Sequence, residues 1–396
     1  MSRLLVDDIT KTDRRALLNV SKMALVSDIV TPTKEYLYAS GEQQLTVVQG
    51  CVISIAGSGI FETGTTVLTA ANLDTGAAFE VGKDYYVYLC DTQNDDTDEL
   101  YYISKNATYP QGWNATNSRK IGGFHYGKCR KVDANGQPVN AGGTRFGTGW
   151  ESNVYDGIVP KSVWTLGHRP KCAPEGMVYL GGGTWVDIYL NSDDGEYGLL
   201  SEYGATPMTG TEGMSWYTFV ERLQKSGKRM PNYQEFCAYA FGSPAGLDNS
   251  NDNAWSATSN TGRKTTGYVA RAVSAVGVRD AVGNVWEWLD ELITRAEHAT
   301  NTTYHASQAW GWDLTSPLKT AADGYDVGNI YQYYYASLAA LVAGGGWSNG
   351  AQDGARAVNC NNYPWNVNTN NGVRGACDLD KGILQAQYPT GRWQGL

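Results

Sequence analysis

Residues 344–378 read GGGWSNGAQDGARAVNCNNYPWNVNTNNGVRGACD. Inside them, 359–371 (NCNNYPWNVNTNN) hold seven asparagines in thirteen positions, against nineteen in the other 383. Asparagine forms strands poorly and turns well, because its amide competes for nearby backbone groups. Glycine, tryptophan, arginine and cysteine surround the tract: Gly344, Gly345, Gly346, Trp347, Gly354 and Arg356 before it, Gly372, Arg374, Gly375 and Cys377 after it. The combination reads as exposed, irregular surface carried on a rigid scaffold. The asparagines are spaced around Val358, Cys360, Tyr363, Trp365 and Val367, which are assigned to the framework. An ordinary polar loop is the competing reading, and the rest of the chain has to decide.

At 396 residues the chain is long enough for two or three domains. Its 42% hydrophobic and 12% aromatic content excludes global disorder. Gly 47, Trp 13 and Tyr 26 against Phe 7 favour a turn-rich all-β or α+β protein over a helical bundle. A formal charge of −9 without a Lys/Arg stripe argues against nucleic acid as a partner. No apolar run approaches the roughly 18 residues of a membrane span. MSRLLVDDITKTDRR lacks the apolar core of a secretory signal, so synthesis in a cytoplasm is expected. The seven cysteines (51, 90, 129, 172, 237, 360, 377) include no CxxC, which disfavours structural zinc. They are expected to be mostly reduced and buried, with a Cys360–Cys377 disulfide left open. The four histidines (125, 168, 298, 305) form no HExxH and are assigned structural places.

Residues 1–44 form an unassigned N-terminal element, with a helical or mixed pattern over 14–25. From 45 to 168, QLTVVQGCVISIAG, DYYVYLC, LYYIS and KIGGFHYG predict short strands between turn clusters, hence a β-sandwich (Ig-like) domain. The acidic stretch 91–99 reads as a solvated hairpin tip without the EF-hand pattern. From 169 onward the texture changes. PEGMVYLGGGTWVDIYL predicts a hairpin, WYTFVERLQK (216–225) a helix stopped near Gly227, and PNYQEFCAYAF a second helix with Asn232 and Glu235 as a capping box. Insertions occupy about 243–267 and 294–337. In GNVWEW, Trp286 and Trp288 fall on one side of a strand or turn and Glu287 on the other, where it needs a partner.

Four segments in order, PEGMVYLGGGTW, GKRMPNYQEFCAYAFG, AVGNVWEWLDE and GGGWSNG…ARA…GVRGACDL, resemble the C-type-lectin-like fold of the formylglycine-generating-enzyme type. That superfamily includes enzymes, so its chemistry is tested residue by residue. The oxygen-dependent members carry a reactive cysteine pair after the RGGSW-like element, where this chain has Trp347, Ser348, Asn349, Gly350 and Ala351. Members that form sulfoxides use iron-binding histidines, and none follows His305. The scaffold is therefore read as non-catalytic.

Over about 80–380 the chain is more similar to the variable proteins of diversity-generating retroelements, phage tropism determinants among them. DYYVYLCD, SRKIGGFHYG, GMVYLGGGTWVDIYL, GKRMPNYQEFCAYAFG and GARAV…GVRGACD match in order. The resemblance places diversified, ligand-binding positions at Gly346, Ser348, Gly350, Gln352, Asn359, Asn361, Asn362, Asn366, Asn368, Thr369, Asn370 and Asn371. It places Arg356, Pro364, Gly372, Arg374, Gly375 and Cys377 on the invariant framework. In such systems a template is copied with errors at adenines. AAC and AAT codons, randomised at adenine, reach many side chains and never a stop, so an Asn-rich repeat is what a little-mutated copy looks like.

The expected protein is thus α+β: a C-terminal C-type-lectin-like domain (169–396) with a variable region at about 344–378, preceded by the β-sandwich. Its expected function is massively variable receptor binding for a virus or phage, on the virion surface at a tail-fibre tip. The partner would be a host cell-surface protein or glycan, without nucleic acid or membrane insertion, and a homo-oligomer is left open. No cofactor is required and no enzyme is expected; a calcium ion fixing a loop near Asp193, Asp194, Asp290 or Glu291 stays open. The alternatives are a cellular surface-displayed variable binding protein, a formylglycine-generating-enzyme-like oxidase, and a purely structural virion domain.

Overall fold

A computed structural model describes residues 29–31, 33–55, 58–92, 100–244, 262–294, 311–313, 330–332 and 338–380. The helical pattern expected over 14–25, the acidic stretch 93–99, most of both insertions, His298, His305 and 381–396 lie outside them. The described residues are mostly β, with two α-helices among them. The chain divides into two compact units: 1–126, 162–169 and 380–396 in one, 127–161 and 170–379 in the other.

In the first unit, β1 (Ile29–Val30), β4 (Val52–Ile55) and β5 (Gly59–Glu62) form one sheet. β2 (Leu37–Gly41), β3 (Gln44–Val47) and β6 (Thr66–Leu68) form another. Its largest sheet is built on β7 (Lys83–Cys90), which pairs antiparallel with both β8 (Leu100–Ser104) and β9 (Ser118–Arg130). The last four residues of β9 belong to the second unit, as does β10 (Val154–Ile158). β11 (Trp164–Thr165) pairs with β9 at Gly122 and Gly123, where an added Cβ would strike the Trp164 carbonyl and indole. Tyr85, Val87 and Leu89 are buried, and so are Tyr86, Tyr88 and Cys90 on the opposite side. A strand covered on both faces explains why DYYVYLC alternates less cleanly in polarity than a half-exposed strand would.

The second unit opens with the hairpin of β12 (Met177–Gly181) and β13 (Thr184–Asp187), whose turn glycines Gly181, Gly182 and Gly183 all have positive φ. A second small hairpin, β14 (Asn191–Asp193) with β15 (Leu199–Ser201), precedes the helices. α1 (Trp216–Lys225) carries a Ser215 N-cap and buries Phe219 and Leu223. α2 (Tyr233–Ala240) has the expected capping box of Asn232 and Glu235 and buries Phe236, Cys237, Tyr239 and Ala240. The central sheet runs β17 (Gly311–Asp313), β18 (Ile330–Gln332), β20 (Val358–Asn362), β19 (Leu338–Ala343), β16 (Trp286–Thr294) and β21 (Asn371–Gly372). β22 (Ala376–Asp378) leaves that sheet to close the first hairpin by pairing with β13. Residues 344–378 therefore contribute to two sheets, and this fixes both ends of the asparagine tract.

Candidate ligand-binding face

The framework around the tract is buried charge, matched bond for bond. Arg374 and Glu287 are both fully buried, with Nη2–Oε1 at 2.8 Å and Nε–Oε2 at 3.0 Å. Arg374 also donates to the carbonyls of Asp187, Ile188 and Arg279. Glu287 Oε2 accepts from the Tyr239 hydroxyl at 2.6 Å. Burial holds the Tyr239 proton far above its ordinary range, so the phenol stays a donor. The partner expected for Glu287 is thus Arg374, 87 residues later. Beside this pair, Lys228 and Asp187 meet at 2.7 Å, and Asp187 also accepts from Asn191 and the Gly375 N–H. An added Cβ at Gly375 would reach 2.6 Å from Asp187.

Trp286 and Trp288 both belong to the core cluster formed with α1 and β19. Gly344 and Gly345 have φ of +92° and +102°, and a Cβ on either would strike the Ala281 carbonyl or the Asp353 side chain. These two glycines turn the chain tightly out of β19. Trp347, counted with the scaffold, is only half-buried, whereas Trp286 lies in the core cluster. Asn349, which sequence reasoning passed over, ties Trp286 to the turn at Gly346; its Oδ1 accepts from Trp286 Nε1 and the Gly346 N–H, each at 3.1 Å.

The twelve candidate positions do not share one environment. Ser348 and Thr369 are exposed, while Gln352, Asn359, Asn361, Asn366, Asn368 and Asn370 are partly exposed. Gly346, Gly350, Asn362 and Asn371 are buried, so the candidate positions are not exposed throughout. The reason lies in hydrogen bonding: Asn362 Oδ1 accepts from Asn371 Nδ2 at 3.2 Å and from Asn368 Nδ2 at 2.8 Å. β21 then pairs parallel with β16, setting Asn371 beside Trp286. Two buried asparagines and the partly exposed Asn368 thus satisfy one another. Asn371→Ala should cost about 1–3 kcal/mol by stranding part of that cluster, measurable as a lower urea midpoint at unchanged slope.

Trp365 and Val367 are 55% and 50% exposed, although the spacing assigns them to the framework. Backbone bonds turn them outward: Pro364 O accepts from Trp216 N (3.1 Å) and Asn368 O from Gly210 N (2.9 Å). These pin the loop against the start of α1 by its main chain, leaving the side chains between them free to point away. Trp365 stacks on Tyr363, with ring centroids 5.0 Å apart and planes 7° from parallel. An aromatic pair of this kind is a contact surface that a pattern of asparagines gives no signal for.

Among the described residues there is no group of three or more His, Cys, Asp or Glu able to hold a metal ion. Three of the acidic residues named for calcium hold protein donors. Asp193 takes the Gly195 N–H and Arg222, Asp194 the Glu196 and Gly198 N–H groups, and Glu291 the Tyr233 N–H. All seven cysteines are free, Cys360 and Cys377 included. Among the described residues no helix is long and apolar enough to cross a membrane.

A family model described as the Mtd second domain matches residues 35–151. The tail fiber receptor-binding protein of Bordetella phage BPP-1 is 27% identical over 361 residues, covering 86% of this chain and 81% of that protein. Among solved structures, the Major Tropism Determinant M1 variant superposes with a TM-score of 0.64 at 24% identity, over 89% of this chain and 86% of its own. The U1 variant gives 0.63 at 25% identity with the same coverage. These relatives carry the names of tropism determinants and a tail-fibre protein, and none is named as an enzyme. The second-domain match, together with a structural likeness running through nearly the whole chain, makes this protein similar to the phage tropism determinants.

Proposed function

We propose that the chain is the receptor-binding protein of a phage tail fibre, and that 344–378 display a diversified ligand-binding face. Residues 169–396, most of whose described part lies in the second unit, would be the C-type-lectin-like domain, and 45–168 the β-sandwich. The observation that carries the reading is the division within the tract. Asn359, Asn361, Asn366, Asn368, Asn370, Thr369 and Ser348 reach solvent, while Arg374, Gly375 and Cys377 are buried. Adaptable polar groups around an aromatic anchor resemble a paratope. Trp365 and Val367 supply that anchor. Their codons hold no adenine at the first two positions, so adenine-directed copying would leave them constant while the asparagines change. Moderate affinity per site would be raised by several copies on one virion. The partner is a protein or glycan of the host surface, bound without a cofactor and without chemistry on the ligand.

The test uses purified protein and phage carrying it, on cells of the bacterium the phage infects. Trp365→Ala should weaken cell binding at least about tenfold, as for an anchor residue worth ~1.4 kcal/mol or more. Wild-type protein should block adsorption of the phage. Wild-type protein that neither binds the host nor blocks adsorption would remove the receptor reading. A near-copy of the DNA for 344–378, differing only at adenines, is the matching genomic observation for diversification.

A further inference from the structure

Immediately beyond the tract, β22 is flanked on its other edge by the segment that enters the second unit. Pro170 and Leu379 form an antiparallel bridge there, and Lys171 N donates to Asp378 O at 2.9 Å. The bridge is isolated, because Arg229 takes the same edge of β22 at Ala376. Two residues beyond it on each segment stand Cys172 and Cys377. Their proximity is direct: Cys172 N donates to Cys377 Sγ at 3.2 Å, a contact spanning 205 residues of chain. Cys172 Sγ lies 3.4 Å from Met177 Sδ, and Cys377 Sγ lies 3.6 Å from the carbonyls of Gly227 and Asp378.

The two sulfurs differ in the way a capture-and-resolve pair needs. Cys172 is partly exposed and Cys377 is 3% exposed. The Cys172 thiol, with the N–H groups of Cys172 and Lys171, pushes the Cys377 sulfur toward the thiolate, and the same contact, with burial, holds the proton on Cys172. Cys90 shows the contrasting case, a thiol pushed up to about 12 by burial alone.

We propose that Cys172 and Cys377 form an intramolecular disulfide when the protein meets a small-molecule disulfide oxidant. Cys377 takes the Cys172 proton as Cys172 attacks one sulfur of the oxidant, breaking its S–S bond, and the departing small thiolate collects that proton from Cys377. The Cys377 thiolate then attacks the Cys172 sulfur of the mixed disulfide and displaces the second small thiolate. Two protein thiols become one S–S bond, and the oxidant is reduced to two thiols. The bond ties the strand entering the unit to the strand that ends it, just past Asn371. Diversification of the intervening face would then leave the closure of the unit untouched. The inference is independent of which ligand that face takes.

Full-length protein is incubated with oxidised glutathione, denatured with iodoacetamide, digested and analysed by mass spectrometry. The expected result is a peptide linking Cys172 to Cys377, lost on adding dithiothreitol, with the other five cysteines alkylated. The linked protein should melt about 5 °C or more higher, because the bond closes a very long loop. Cys172→Ser, at the partly exposed position, should abolish both the link and the rise. Alkylation of both cysteines after oxidant exposure overturns the proposal, as does a lasting glutathione adduct on Cys172 or a Cys360–Cys377 link.

Discussion

Arg374→Met is expected to lower the stability of the second unit by about 3–5 kcal/mol, the cost of leaving one member of a buried ion pair alone. All five N–H donors of Arg374 are used, two on Glu287 and three on the carbonyls of Asp187, Ile188 and Arg279. Methionine fills much of the volume but strands the Glu287 carboxylate, which keeps only the Tyr239 hydroxyl among these partners. Replacing both residues, as Arg374→Met with Glu287→Met, should cost clearly less than the sum of the single changes, because no unpaired charge remains. Urea titrations of the three variants give the coupling. Strict additivity, or a single-variant loss below about 1 kcal/mol, would show that the pair does not hold the framework as the geometry implies.

Trp288→Ala should cost about 3–5 kcal/mol, as for other fully buried aromatics. Its side chain is 0% exposed and packs with Phe219, Leu223 and Val342 in one cluster. Asn361→Tyr, by contrast, should change stability by no more than about 0.5 kcal/mol, because the Asn361 side chain is partly exposed. Thermal melts of the two variants separate scaffold from display, and equal sensitivity would erase the distinction. Trp347, half-buried, should fall between them, so tryptophan is not by itself a mark of the core here.

Much of the scaffold was legible locally. The strands around DYYVYLC and GMVYLGGGTWVD, α1, and the Asn232–Glu235 capping box depend on periodicity and on side chains a few residues apart. The Trp286/Trp288 side of GNVWEW was readable for the same reason. What escaped was set by distant contacts. No local pattern shows that Glu287 waits for Arg374, that 162–169 group with the first unit after 127–161 have joined the second, or that Cys377 faces Cys172 and not Cys360. Exposure along the tract was less legible than its framework. Asn362 and Asn371 have the composition of display residues but are drawn inward by each other's amides, while Trp365 has the composition of a core residue but is turned outward by the backbone bonds around it.

The pairing of β22 with β13 bears on the order in which the molecule can be made. Trp185 is translated early and its strand partner Cys377 nearly two hundred residues later. Until then β13 presents an open edge on that side, and the Arg374 site is a set of buried acceptors without their donor. The second unit therefore cannot ripen piecemeal on the ribosome; its last-made segment is its keystone, and contacts of such long range are slow to find. The segment that would be rewritten from copy to copy is threaded between two halves of that late closure. A copy with a damaged framework would fail at that closing step, and would fail as a whole unit.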